Sequence, residues 1–204
     1  LMLTPEYIPD PRDTDYLEYV CKSIEMACIG AEGRTLALFT SYSSIQSVYE
    51  KLEDSLRKHN IDILAQGVSG SPQQLVNHLR KNSRTLLLGT SSMWEGIDIR
   101  GNALQVLIIA RLPFGVPTDP IYQARSEKYD NPFIEFALPN AILKFKQGFG
   151  RLIRSNKDKG IFILLDNRVK SKKYGQVFIN ALPRMSQEEY GNSKLSRTIK
   201  KWLM

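Results

Sequence analysis

Residues 35–66 read TLALFTSYSSIQSVYEKLEDSLRKHNIDILAQ, and this stretch decides the fold class. Residues 35–40 are a short apolar run, the pattern of a strand covered on both faces as strands of parallel sheets are. Ile45, Val48, Leu52 and Leu56 then recur at helical spacing, which predicts an amphipathic helix. Residues 61–66 close the stretch with a second apolar run, so the unit reads strand, helix, strand.

The pattern extends in both directions. Upstream, Leu17, Val20, Ile24 and Ala27 predict a helix that Gly30 and Gly33 end. Before it, Pro5, Pro9 and Pro11 make residues 1–13 an extended lead-in, expected to lie outside the domain at 14–204. Downstream, Ser71, Pro72 and Gln74 spell a capping box that opens a helix to about Arg80. Residues 85–89, 104–110 and 160–166 are further buried strands. Five strands alternating with helices argue an α/β domain with a mostly parallel central sheet, helices on both sides, and ligands at the carboxyl ends of the strands. Residues 113–139 carry five prolines and several aromatics, and read as an inserted helical excursion.

Composition sets bounds. The 204 residues, 42% hydrophobic and 24% charged, suit one globular domain. No apolar run reaches the roughly 20 residues of a membrane span, and no signal pattern opens the chain, so a cytoplasmic protein without membrane contact is expected. Cys21 and Cys28 are too few for a metal site and read as buried thiols; His59 and His78 belong to no ligand motif. A formal charge of +7 favours an anionic partner such as nucleic acid. Much of the excess follows residue 156, in Lys157, Lys159, Arg168, Lys170, Lys172 and Lys173, with a second group at the C-terminus.

The chemistry concentrates in residues 147–154, QGFGRLIR. On a continuous helix Gln147, Arg151 and Arg154 fall at i, i+4 and i+7, on one face, opposite Ile142, Phe145, Phe149 and Leu152. Two guanidiniums and an amide aimed at a common target suit a phosphate, and phosphoryl transfer is their best use. Gly148 and Gly150 would sit mid-helix, where a close backbone approach would account for them. The second informative stretch, residues 90–101 (TSSMWEGIDIRG), follows a buried strand and should gather at the same sheet edge as Arg151. There Gly96 would let the backbone approach a ligand, Asp98 could accept from a ribose hydroxyl, and Thr90, Ser91 and Ser92 could meet phosphates. Trp94 could stack on a base or fill the core, and Glu95 reads as an arginine partner holding the loop. Phe114 and Tyr122 read first as packing residues and second as base stackers.

Taken in order, FTSYSS at the end of a strand, WEGID, LPFGVPTDP, QGFGRLIR and a closing strand ending LLDNR resemble the second motor domain of superfamily 2 helicases. Within them the chain is similar to the DinG branch of the XPD/DinG family, DNA-dependent ATPases that move 5′ to 3′ on single strands. The resemblance runs from about Gly33 to Arg168 and implies a RecA-like three-layer domain. It implies that Gln147, Arg151 and Arg154 face the γ-phosphate of an ATP held on the first motor domain, with Gly150 beside them. It also implies that Gly96 and Asp98, with Glu95 in their loop, meet the nucleotide. Thr40, Ser41 and Tyr42, with Thr90, Ser91 and Trp94, would then line the path of single-stranded DNA.

The sequence contains no G-x-x-x-x-G-K-[ST] phosphate loop, no acidic DEAH-like magnesium motif and no cysteine cluster. ATP and Mg²⁺ are therefore expected to be held mainly by the first motor domain of the same polypeptide, with no metal ligands in this chain and no ATP hydrolysis by it alone. A non-enzymatic nucleic-acid-binding module, or the motor half of a helicase-like exonuclease, are the alternatives.

Overall fold

The computed structural model describes residues 1–90, 93, 103–153 and 158–204. Among them seven strands form one sheet: β1 (Met2–Pro5), β2 (Thr35–Leu38), β3 (Asp62–Ala65), β4 (Thr85–Gly89), β5 (Val106–Ile109), β6 (Ile161–Leu164) and β7 (Gln187–Tyr190). They are ordered β3-β4-β2-β5-β6-β1-β7, and every pairing is parallel. The helices are α1 (Tyr16–Gly30), α2 (Tyr42–Lys58), α3 (Pro72–Lys81), α4 (Pro120–Ser126), α5 (Leu138–Phe149), α6 (Arg168–Ser171), α7 (Gly175–Asn180) and α8 (Leu195–Leu203).

Alternation along the strands feeds two cores. Ala37, Leu86, Leu88, Ile108, Ile161 and Ile163 point into one, which α1, α2 and α8 cover with Val20, Ile24, Ile45, Val48, Leu195 and Ile199. Their neighbours Leu36, Leu38, Leu87, Ile109, Phe162 and Leu164 point into the other, under Leu75 and Leu79 of α3, Phe145 and Phe149 of α5 and Phe178 of α7. That two-sided burial is why these strands read as continuous apolar runs. Each fully buried aliphatic or aromatic side chain contributes about 1.5–3 kcal/mol, before the cost of ordering it.

The capping box forms as the sequence predicts: Ser71 Oγ accepts from Gln74 N–H, and Gln74 Oε1 accepts from Ser71 N–H. Gly30 ends α1 where a β-carbon would come within 2.7 Å of the Ser196 carbonyl of α8. Gly33 turns the chain at φ +92° into β2.

The sheet is wider than the five strands the periodicity gives. Residues 1–13 do not stand outside it, because β1 inserts between β6 and β7 with Met2 and Leu3 buried. The proline-rich surroundings hid β1, and β7 reads QEEY, three of whose residues are exposed at the sheet edge. The excursion is helical: Asp119 caps α4 by accepting from Tyr122 N–H at 2.8 Å. A π-helical stretch at Phe133–Ala137 then leads into α5.

Candidate functional site

The helix that carries the arginine motif is built as predicted up to Phe149. Phe145 and Phe149 set their rings edge-on to Phe162 of β6, with centroids 5.6 and 5.4 Å apart, and Phe145 does the same to Phe178 at 5.3 Å. Beyond Phe149 the helix stops, which corrects the expectation of one continuous helical face. Arg151 N–H donates to Gly148 O and Leu152 N–H to Phe149 O, both at 3.0 Å, tightening the chain into a turn that starts at Gly150. Gly148 and Gly150 are therefore in and just past the last turn. Among the described residues a β-carbon on Gly150 would meet nothing closer than 3.4 Å, so no tight approach within them accounts for that glycine. Leu152 folds back onto Gly160, just before β6.

Of the stretch 90–101, expected at the same edge as Arg151, only Thr90 and Met93 are described, and Thr90 lies at the other edge. Because α5 runs from the carboxyl ends of the strands to their amino ends, the turn with Arg151 sits beside Gly160 at the amino edge of the sheet. There Arg151 is half-buried, and the Oε1 atom of Gln147 is buried with no partner among the described residues. The connection 90–105 starts at the opposite edge, after β4, and ends beside this turn, where Gln105 O accepts from Ile161 N–H at 2.8 Å. Ser91, Trp94, Glu95, Gly96, Asp98 and Arg154 lie outside the described residues.

At the carboxyl edge Thr40, Ser41 and Tyr42 follow β2. Ser41 is the N-cap of α2, with its Oγ accepting from Ser44 N–H at 3.3 Å. Tyr42 is 57% exposed. Its hydroxyl accepts from Gln66 Nε2 at 3.0 Å, while Gln66 Oε1 accepts both the N–H and the hydroxyl of Thr90, at 2.9 and 3.1 Å. Thr90 is buried and both its donors go to Gln66, so it holds the loop's start and has no spare donor for a phosphate. The structure thus brings Thr40, Ser41, Tyr42 and Thr90 together, and puts Gln147, Gly150 and Arg151 at the far edge.

A third group lies at the carboxyl ends of β5 and β6. Asp166, its carboxylate fully buried, accepts from Leu112 N–H at 2.8 Å and from Arg168 through Nε at 2.9 Å and Nη2 at 2.6 Å. Tyr16 ties the same two strand ends, with its hydroxyl donating to Ala110 O and lying 3.1 Å from Leu165 O. Burial, then the Asp166 carboxylate, pushes the Tyr16 pKa well above that of a free phenol. The Arg168 guanidinium lies 5.5 Å from the Phe114 ring centroid, over its face. Phe114 stacks on Phe133 at 5.9 Å and meets Tyr174 edge-on at 5.5 Å. Phe114, Phe133, Tyr174, Tyr122 and Arg168 line an open cleft of about 360 Å³.

Tyr122 is packed, tilted against Phe136 at 5.0 Å and lying over Gly115. Phe114 is walled by its aromatic neighbours, whereas Phe133 keeps 40% of its surface exposed. Sequence reading missed Gln66, Tyr16 and the anchoring part of Asp166. Two of them left a signal: Gln66 directly follows β3, and Asp166 follows β6 after one further buried leucine, each a polar residue ending an apolar run.

Comparison with known proteins agrees with this architecture. The helicase C-terminal domain family model matches residues 24–185. The chain is 38% identical over 193 residues to the 3'-5' exonuclease DinG of Bacillus subtilis (strain 168), covering 92% of this chain and 21% of that protein. It is 35% identical over 191 residues to the ATP-dependent DNA helicase YoaA of Haemophilus influenzae, covering 92% of this chain and 29% of the relative. The chain therefore spans less than a third of either protein. Among solved structures, an XPD helicase aligns over 93% of this chain and 35% of its own, with a TM-score of 0.68 at 18% identity, a likeness of fold. No helix among the described residues is long and apolar enough to cross a membrane. With a RecA-like all-parallel sheet and the arginine motif at the end of α5, the chain belongs to the helicase C-terminal domain family, in its XPD/DinG-like branch.

Proposed function

We propose that this chain is the second motor domain of an ATP-dependent DNA helicase, a cytoplasmic motor that moves 5′ to 3′ on single-stranded DNA. The observation that carries this reading is Gln147. A buried carbonyl oxygen without a partner among the described residues is uncommon in a folded domain, and this one stands one turn before Arg151. An acceptor there suits a donor such as the hydrolytic water, and a guanidinium beside it suits the phosphoryl group under attack. The nucleotide and its Mg²⁺ would be held mainly by the first motor domain, with Arg151 and Arg154 supplied across the interface and Gly96, Asp98 and Glu95 meeting the sugar side. Closing the two domains is then the step that ATP favours, because it binds the closed pair better than the open one.

The DNA would follow the other edge. Two helix N-termini, those of α2 at Ser41 and of α3 at Ser71, stand at the carboxyl ends of β2 and β3, where the positive end of the helix dipole favours phosphates. The aromatic cleft at the ends of β5 and β6 offers ring faces to bases. The connection 90–105 begins at this edge, at Thr90, and ends beside the arginine turn, at Gln105.

The test is single-stranded-DNA-stimulated ATP hydrolysis by the complete protein, wild type against Arg151→Ala. Loss of about 10³-fold in turnover is expected, with DNA affinity little changed. Equal loss of turnover and DNA affinity would sink the assignment and leave a nucleic-acid-binding module. Because the Bacillus subtilis relative is named an exonuclease, nuclease activity should be assayed alongside. Strand degradation that survives Arg151→Ala would favour the motor half of a helicase-like exonuclease.

A further inference from the structure

We propose that Gln66 is a positioning residue that presents the Tyr42 ring to single-stranded DNA and fixes the start of the 90–105 connection to the same point. The proposal rests on the carboxyl edge being the DNA track. Gln66 directly follows β3 and is 6% exposed, and its backbone N–H continues the ladder by donating to Leu88 O at 3.0 Å. The backbone of Gln66 is therefore held by the sheet, and its side chain is a rigid arm. One end of the amide accepts the two donors of Thr90, and the other donates to the Tyr42 hydroxyl.

Tyr42 is unusual for a surface aromatic because it is exposed and yet held at two points. Besides the Gln66 bond, its ring edge lies against Gly67, where a β-carbon would come within 3.3 Å of Tyr42 Cδ1. Gly67 adopts φ +84°, a left-handed conformation that other residues take at a cost, so the contact depends on glycine twice over. A ring fixed in this way loses little freedom when a nucleotide meets it. Thr90 is bound to the same amide, so a displacement of Tyr42 is passed to the start of the connection that ends at the arginine turn.

The measurement is the concentration of an oligodeoxythymidylate that half-maximally stimulates ATP hydrolysis by the complete protein, together with turnover at saturation. Tyr42→Phe removes only the hydroxyl of an exposed residue, so its fold is safe, and it is the first variant to make. The expected result is a rise of about tenfold in half-maximal DNA concentration, with saturated turnover little changed. Gln66→Met, close to isosteric, should reproduce the rise, and the double variant should be no worse than Gln66→Met alone. A purely structural role would lower the melting temperature without that split between half-maximal DNA and saturated turnover. If Tyr42→Ala weakens DNA stimulation while Tyr42→Phe does not, or if the two single effects simply add, Gln66 does not position Tyr42 and the proposal fails while the track stands. If Tyr42→Ala itself has no effect, the track reading fails at this edge and takes the proposal with it.

Discussion

The carboxylate of Asp166 accepts the backbone N–H of Leu112 at 2.8 Å, joining the end of β6 to the start of the LPFG segment across 54 positions of sequence. The same carboxylate holds the guanidinium of Arg168 at 2.6 Å, so one buried anion sets both the backbone leading to Phe114 and the cation over its ring. Asp166→Ala leaves a largely buried arginine and the backbone N–H groups of Leu112 and Arg168 without this acceptor. We expect a loss of about 2–4 kcal/mol in urea unfolding, and Asp166→Asn, which keeps an acceptor, should lose less. Equal losses would mean that the charge is immaterial and shape alone matters.

Phe133 is the aromatic of the cleft with the most exposed surface. If bases pass there, Phe133→Ala removes a stacking surface worth about 1–3 kcal/mol per base, equivalent to roughly tenfold or more in affinity for single-stranded DNA. Fluorescence titration against a labelled oligonucleotide reads this out. An unchanged affinity would reassign the cleft to packing of α4 and α7.

A β-carbon on Gly160 would lie 2.5 Å from Leu152 Cδ1 and 2.7 Å from its Cγ, so the whole Leu152 side chain would have to move. Leu152 is the neighbour of Arg151 in the turn after α5. Gly160→Ala should therefore cost about 1–3 kcal/mol of stability and also lower ATP turnover, whereas DNA affinity at the opposite edge should hold. Wild-type turnover in a destabilised variant would show that the turn is insulated from its support.

Alkaline pH should destabilise the domain through its thiols. Burial pushes Cys21 up to about 11 and Cys28 up to about 12 from the ordinary 9.0. Both are neutral when folded, and the unfolded chain releases their protons at lower pH than the folded one. The stabilisation is thus complete below about pH 9 and is lost as pH rises toward 12. Melting temperature measured from pH 8 to 12 should fall, and Cys28→Ala should flatten the fall. A variant that falls as steeply as the wild type would assign the loss to the buried tyrosines instead.

Local pattern carried most of the architecture. Runs such as IFILL at 161–165 are apolar at every position because both faces of the strand are covered, and the spacing of Ile45, Val48, Leu52 and Leu56 is a property of one helix face. These signals are complete within a dozen residues, so strands β2 to β6, the helices between them and the capping box at Ser71 were legible, as was the resemblance carried by QGFGRLIR. What the sequence could not show needs distant partners. Met2–Pro5 is a strand because β6 and β7 flank it, not because of its own composition. The end of α5 at Phe149 reflects the turn that Gly150 begins and Leu152 completes against Gly160. The separation of Arg151 from Thr90 onto opposite edges follows from the direction of α5 relative to the strands. Gln66 and Asp166 matter through hydrogen bonds that span 24 and 54 positions of sequence, which only the folded sheet brings within 3 Å. The sequence by itself determined most of the segments that form the layers and which residue types fall together along them, since periodicity and residue type are local. Only the tertiary structure decided which of those residues meet, because contact is a property of distance in the fold.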